Sequence, residues 1–371
     1  MTSLSQELDL RKPVFAFSKG GVSAGRHERL ANLKELSKRL GLSQTTVSRA
    51  LNGYPEVSEA TRKRVVAAAS ELSYQPNQNA RKLATGKSRT IGHVVPLGDH
   101  DMINPHFSDF IAGAGAVYNQ NGYDMLLKVV TVDEEQDAYR DLAIGNRIDG
   151  VIVHGPIVGD ARPAALSKLG LPFVVHGRLI DTADGYAWVD VDNVGVFKAA
   201  TEHLLELGHK RLGLINGLET MVFAVHRREG FEQALRAAGL SSDQRLMRSV
   251  EMTEPNGYEA TKSLLEHDDA PSAILCASSL VALGATRAVR DLGLKLGEDI
   301  SLVTFDDCLS FLGGGNTSEV ETTAIRSSLR SAGEVAAQLL LGIIDGSAKE
   351  TQVFMDTEFV LGKTTSPISK G

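Results

Sequence analysis

A chain of 371 residues exceeds one average domain and predicts two or three. Its 42% hydrophobic content is that of a globular protein, and no apolar run approaches the ~20 residues of a bilayer span. The net charge of −7 is unevenly shared: residues 31–90 hold 11 Lys+Arg against 4 Asp+Glu, residues 1–30 carry +2, and the remainder is left at −16. A basic module on an acidic body points to a polyanionic partner such as nucleic acid, although a solvated charged face has the same composition. The N-terminal stretch has no apolar segment ahead of a small-residue cleavage site, so no secretory signal and no membrane partner are expected. Cys276 and Cys308 make neither a disulfide framework nor a metal spacing. A reduced, cytoplasmic setting is expected, with no metal and no cofactor.

Residues 1–30 are Ser/Gly-rich and aperiodic, and read as a disordered extension or as a start codon set too far upstream. Helical signals begin at Asn32, which with Glu35 forms a capping-box pattern. Leu33, Leu36 and Leu40 then recur at helical spacing, and Gly41 ends the helix. Ser43 is placed to cap a second helix with Val47, Ala50 and Leu51 on one face. Ser58 caps a third, in which Val65, Val66, Ala69 and Leu72 are expected to be buried. Two short helices joined at a glycine are the helix-turn-helix plan, whose second helix presents its first polar residues to base edges in the major groove. The same three helices would also serve as a small protein-binding bundle.

From Thr90 the texture changes. Short β-rich runs ("TIGHVVP", "YDMLLKVV", "DGVIVHG", "LPFVVHG", "YAWVDVD", "RLGLING", "SAILCAS", "ISLVTFDD") alternate with amphipathic stretches such as "FKAATEHLLELG" and "RREGFEQALRAAG". Apolar strands alternating with helices predict an α/β body of parallel sheets covered on both faces, in two doubly wound lobes with a cleft between them.

The motifs "TVSRALN", "VSEATR" and "ELSYQPNQNARKL" of the front module, with "NPHFSDFIAGA", "LELGHKRLGLING", "RREGF" and "EDISLVTFDD" of the body, resemble the lactose-repressor (LacI/GalR) family of bacterial transcription regulators. The resemblance runs from about Asn32 to Lys363. It implies a helix-turn-helix DNA-binding domain over 31–75, a hinge helix or linker over 76–89, and a two-lobed periplasmic-binding-protein-like core over 90–371. By position it makes Gln44, Thr45 and Arg49 base contacts; Gln pairs bidentately with adenine and Arg with guanine. It makes Thr46, Ser48, Asn52, Ser58 and Thr61 phosphate contacts, which for Ser58 and Thr61 can coexist with capping. "PNQNARKLATG" resembles the family hinge, with Asn77, Ala80 and Leu83 on the minor groove and Leu83 as the wedge; an ordinary linker is the other reading.

The resemblance also implies an effector in the cleft. His106 and Phe107 follow the first strand, and Phe107 serves either as a stacking surface or as core packing. His154, His176 and Arg178 end two strands, Arg227 opens the Arg-x-x-Gly-Phe pattern, and Asp306 stands in "VTFDD". Ser278 replaces the Asn that many relatives carry before the helix of "SLVALG". Asp192 reads as a helix N-cap. The expected effector is a mono- or disaccharide, with a purine or nucleoside as the alternative. Two half-sites in pseudo-palindromic double-stranded operator DNA call for a homodimer. No dinucleotide fingerprint, P-loop, Gly-x-Ser-x-Gly elbow or zinc spacing is present, which weighs against an enzyme; the basic module weighs against a free solute-binding protein.

Overall fold

A computed structural model describes residues 32–51, 54–72, 74, 86–97, 105–180, 185–312 and 322–368. The expected N-terminal extension, Asn52, the hinge positions Asn77, Ala80 and Leu83, and most of the Gly-rich stretch after Leu312 lie outside the described residues. The chain divides into two compact units, Met1–Arg81 and Lys82–Gly371.

The first unit contains α1 (Leu33–Leu40), α2 (Gln44–Leu51) and α3 (Glu59–Glu71). The capping box forms: Glu35 N–H donates to Asn32 Oδ1 and Asn32 N–H to Glu35 Oε2, both at 3.0 Å. Gly41 ends α1 at φ +66°, a left-handed conformation that most side chains would strain. Ser43 Oγ accepts from Thr46 N–H at 3.0 Å and Ser58 Oγ from Thr61 N–H at 3.3 Å, each satisfying an otherwise unpaired donor of a first turn. Leu36, Val47, Ala50, Val65, Ala68 and Ala69 form the core. Val66 departs from expectation, being 53% exposed. The buried face of α3 runs 65, 68, 69, and Val66 lies a 100° turn away from Val65.

The second unit has two lobes. The first sheet is ordered β11-β5-β4-β3-β1-β2, from β1 (Thr90–Leu97), β2 (Asp124–Thr131), β3 (Gly150–His154), β4 (Phe173–His176), β5 (Ala187–Asp190) and β11 (Gln352–Phe354), all parallel. The second is ordered β12-β10-β9-β8-β6-β7, from β6 (Leu212–Asn216), β7 (Met247–Ser249), β8 (Ala273–Cys276), β9 (Ser301–Asp306), β10 (Thr323–Arg326) and β12 (Glu358–Val360). Only β12 runs antiparallel to its neighbour in that sheet. Strands β7, β10, β11 and β12 have three or four residues, too few to show a period in sequence.

Away from the edge strands, both faces of each sheet are buried. Ile91, Ile152 and Val189 meet one apolar layer and Val94, Val151 and Val153 the other. In the second lobe, Leu214, Leu275 and Val303 face one layer and Ile215, Ile274 and Leu302 the opposite one. Each such side chain contributes about 1.5–3 kcal/mol. Helices α4 (Pro105–Gln120) and α11 (Leu329–Asp345) cover the first sheet with their backbones in close approach. A methyl group on Gly113 would stand 1.9 Å from the Arg330 carbonyl oxygen, and one on Gly333 2.1 Å from that of Phe110. The chain passes between lobes after β5, after β10 and after β11. These crossovers lie at the carboxyl ends of the parallel strands, where doubly wound sheets leave a ligand crevice.

Candidate functional site

Helix α2 turns Val47 and Ala50 into the three-helix core. Gln44, Thr45 and Arg49 are exposed, and the four-residue spacing of Thr45 and Arg49 puts them on one face. Thr46 and Ser48 are half-buried; Thr46 Oγ1 lies 2.8 Å from Ser43 Oγ. At the start of α3, Ser58 Oγ lies 2.9 Å from Thr61 Oγ1. An ion pair between Arg39 and Glu71 ties α1 to α3. A polar, exposed first turn on a helix braced from behind is a shape that fits a groove.

The second unit holds a cavity of about 230 Å³. One enclosed water needs roughly 10–15 Å³, so the space suits a small molecule. Its first-lobe wall comes from His106, Phe107 and Phe110 on α4 and from the strand ends His154, His176 and Asp190. The second-lobe wall comes from Asn193 on α7 (Asn193–Glu206), Phe223 and Arg227 on α8 (Val222–Ala237), Phe305 on β9, and Asp307 just after it.

The first-lobe wall is mainly aromatic, with Asp190 as its carboxylate. Phe107 and Phe110 stand edge-on to His154, with ring centroids 5.1 and 5.0 Å away, and Phe110 stacks on His176 at 4.4 Å. Burial pushes His176 down to about 4 and holds His154 well below the usual imidazole range, with neighbouring His93 and His176 adding to the effect on His154. Burial also raises Asp190, although Arg178 opposes it: Arg178 Nε donates to Asp190 Oδ2 at 3.0 Å.

The second-lobe wall carries charge. Arg227 is 5% exposed, and burial pushes it down to about 10 against the pull of Asp307 and Asp190. Its Nε donates to Asn193 Oδ1 at 2.8 Å and its Nη1 to the Ala277 carbonyl oxygen. Phe305, Phe223 and Phe197 cage the guanidinium at 4.2, 4.9 and 5.0 Å. Across the lobes, His106 Nε2 lies 3.1 Å from Asp307 Oδ2, and His106 Nδ1 is buried with no partner among the described residues. Such walls offer flat apolar faces, a guanidinium and carboxylate acceptors to one ligand.

Five of the eight positions expected at the effector line the cavity: His106, Phe107, His154, His176 and Arg227. The other three do not. Arg178 turns back to Asp190 and lies over the Phe354 and Trp188 rings. Ser278 is fully buried, its Oγ accepting from Val281 N–H as the N-cap of α10 (Ser279–Asp291). Asp306 is spent on the crossover: Oδ1 accepts from Ser279 Oγ at 2.9 Å and Cys308 N–H at 3.0 Å, and Oδ2 faces Arg326. Asp192 is the N-cap of α7, accepting from Gly195 N–H. Phe110, Asp190, Asn193, Phe223, Phe305 and Asp307 of these walls were not among the expected positions. Asp190 carried a signal, as a carboxylate ending an apolar strand; which member of Asp306–Asp307 faces the cavity carried none. Among the described residues no three His, Cys, Asp or Glu side chains stand together as a metal site.

Comparison with known proteins gives two family matches: bacterial regulatory proteins of the lacI family over residues 32–77, and a periplasmic binding protein-like domain over residues 201–365. The HTH-type transcriptional regulator AglR of Rhizobium meliloti is 42% identical over 337 residues, 91% of this chain and 94% of that protein. Among solved structures, a transcriptional regulator CelR–cellobiose complex is 29% identical with a TM-score of 0.66, over 90% of this chain and 99% of that one. The lac repressor dimer bound to operator and the anti-inducer ONPF is 25% identical with a TM-score of 0.77, over 91% of this chain and 100% of that one.

Proposed function

We propose a function from one premise: the chain belongs to the lacI family of bacterial regulatory proteins. It is a helix-turn-helix transcriptional regulator, and it binds operator DNA through α1–α3. In our reading, α2 enters the major groove. There Gln44, Thr45 and Arg49 read bases while Thr46, Ser48, Asn52, Ser58 and Thr61 hold phosphates. Asn77, Ala80 and Leu83 reach the minor groove at the centre of a pseudo-palindromic site bound by two copies. The protein acts in the cytoplasm as a repressor of a carbohydrate-utilisation operon, and we assign it no catalytic residue.

The effector we propose is a mono- or disaccharide in the cavity. The observation that carries this is the pairing of aromatic faces with Arg227, Asp190 and Asp307 around about 230 Å³. A sugar lays its C–H face on Phe rings and gives its hydroxyl protons to carboxylates. His106, Phe107, His154, His176, Arg227 and Asp307 contact it, while Arg178, Ser278 and Asp306 support the wall and the crossovers from behind. Because His106 and Asp307 belong to different lobes, a ligand that touches both biases the lobe arrangement. A coupling of about 1–3 kcal/mol to DNA then changes operator affinity roughly 5–150-fold.

A thermal-shift screen against mono- and disaccharides, sugar phosphates and purines tests the effector. A sugar at 100 times its dissociation constant adds about 2.7 kcal/mol of stability. The same sugar changes retention of an operator fragment in a mobility-shift assay. Stabilisation by a purine and by no sugar would overturn the sugar reading and leave the DNA reading standing.

A further inference from the structure

Behind His154 lies a polar chain that the ligand contacts do not use. His93 on β1 is completely buried, between His154 on β3 and Tyr118 on α4. Its Nδ1 lies 2.9 Å from His154 Nε2, and its Nε2 lies 3.2 Å from the Tyr118 hydroxyl. The His93 and His154 rings stack with centroids 5.2 Å apart. Tyr118 is 1% exposed, and among the described residues its hydroxyl meets only His93. His154 Nδ1 is the nitrogen left over: it has no partner among the described residues, and its ring lines the cavity.

We infer that Tyr118 and His93 are positioning residues that fix His154 as a neutral Nδ1–H donor into the cavity, which therefore selects a ligand presenting an acceptor oxygen to that wall. This rests on the reading of the cavity as the effector site. The direction of the chain follows from the Tyr118 proton. A hydroxyl buried with one neighbour donates to it, because accepting there would leave its own proton without a partner. His93 Nε2 therefore accepts, and a neutral His93 carries its proton on Nδ1. That proton is donated to His154 Nε2, so a neutral His154 carries its own on Nδ1. Both rings stay neutral, since burial pushes His93 down to about 3 and His154 well below its ordinary value. Phe107 and Phe110, at 80° and 87° to the His154 ring, set its plane from the sides.

The donor complements the carboxylate acceptors, Asp190 on the same wall and Asp307 across the cavity. Asp307 and Asp190 take hydroxyl protons, whereas His154 Nδ1–H requires an oxygen that can receive one. A pyranose satisfies both, because its ring or glycosidic oxygen bears no hydrogen and can only accept. An open-chain polyol has hydroxyls alone; one that accepts from His154 still has its own proton to place, and the flexible chain must be ordered to do so.

Long-range ¹H–¹⁵N correlation spectra of the ¹⁵N-histidine-labelled full chain, recorded without ligand and assigned with single His→Gln variants, read the tautomer. The expected result is a pyrrole-type Nδ1 and a pyridine-type Nε2 on both His93 and His154. A pyridine-type Nδ1 on His154 overturns the inference. In Tyr118→Phe the His154 signals move toward the average of the two tautomers; an unchanged spectrum overturns the role of Tyr118. If that variant does not fold, the wild-type spectrum still decides the direction of the chain. The selectivity is read by pairing each monosaccharide that stabilises the protein with its reduced alditol, such as glucose with sorbitol. The cyclic form is expected to give the larger thermal shift, and an equal shift overturns the selection. Failure of every sugar would count against the effector reading alone, since the tautomer is read with none present.

Discussion

The two walls of the cavity handle buried polarity in opposite ways. The first lobe strips its imidazoles of charge: His93, His154 and His176 are desolvated, set among Phe and Tyr rings, and held neutral. The second lobe keeps a charge, because Arg227 is ringed by three Phe faces, hydrogen-bonded to Asn193 and Ala277, and flanked by Asp307 and Asp190. A guanidinium tolerates this site because aromatic faces and fixed carboxyl and carbonyl groups replace its water, whereas an imidazole can give up its proton. The difference separates an orienting wall from a gripping wall.

Removing the retained charge should have the largest effect. Arg227→Leu leaves Asn193 Oδ1 and the Ala277 carbonyl without their donor and the flanking carboxylates without their cation. Loss of about 3–5 kcal/mol is expected in urea unfolding, with sugar affinity down roughly 10–150-fold by calorimetry. A well-folded variant that binds as wild type would break the contrast between the walls.

Acid should act most on the first wall. His176 is held at about 4 against an ordinary value near 6.5, so the unfolded chain binds a proton there that the folded one does not. Stability is therefore full above pH 6.5 and falls as the pH drops toward 4, by on the order of 3 kcal/mol from this group. Arg227, held at about 10, contributes no slope between pH 7 and 9. Urea midpoints at pH 8, 6.5 and 5 check this, and His176→Phe should make the acid limb shallower, with His93 and His154 supplying the rest. An acid slope unchanged in that variant would assign it elsewhere.

A smaller effect is expected from Asp307→Asn, which weakens the link to His106 and takes one carboxylate from the ligand. Sugar affinity should fall roughly tenfold, with stability altered by about 1 kcal/mol. Tyr118→Phe is the mildest: it removes one buried hydroxyl bond and loosens the orientation of His154. A loss of about 0.5–1.5 kcal/mol, or roughly two- to tenfold in sugar affinity, is expected from calorimetry.

Local signals were legible where the chemistry is local. The Asn32–Glu35 box, the Gly41 stop, and the Ser43, Ser58 and Asp192 caps each depend on residues within about a turn, and each forms as read. The eight apolar strand runs and the alternation that makes two doubly wound lobes were also written in the chain, because a strand buried on both faces must be apolar throughout. Val66 shows the margin of that method: in the run Val65-Val66 composition cannot say which member faces inward.

The sequence by itself determined the two lobes, the polar face of α2, and His106, Phe107, His154 and His176 among the side chains that α4 and the strand ends bring to the cleft. Tertiary structure decided the rest, because it depends on groups far apart in the chain. His93 meets His154 across 61 residues and His106 meets Asp307 across 201, and no local pattern encodes either. Asp306 was diverted to Ser279 and Arg326, while Asp307 was left for the cavity. The physical reason is that successive residues at a strand end point in opposite directions, so register and crossover geometry choose which carboxylate a ligand meets.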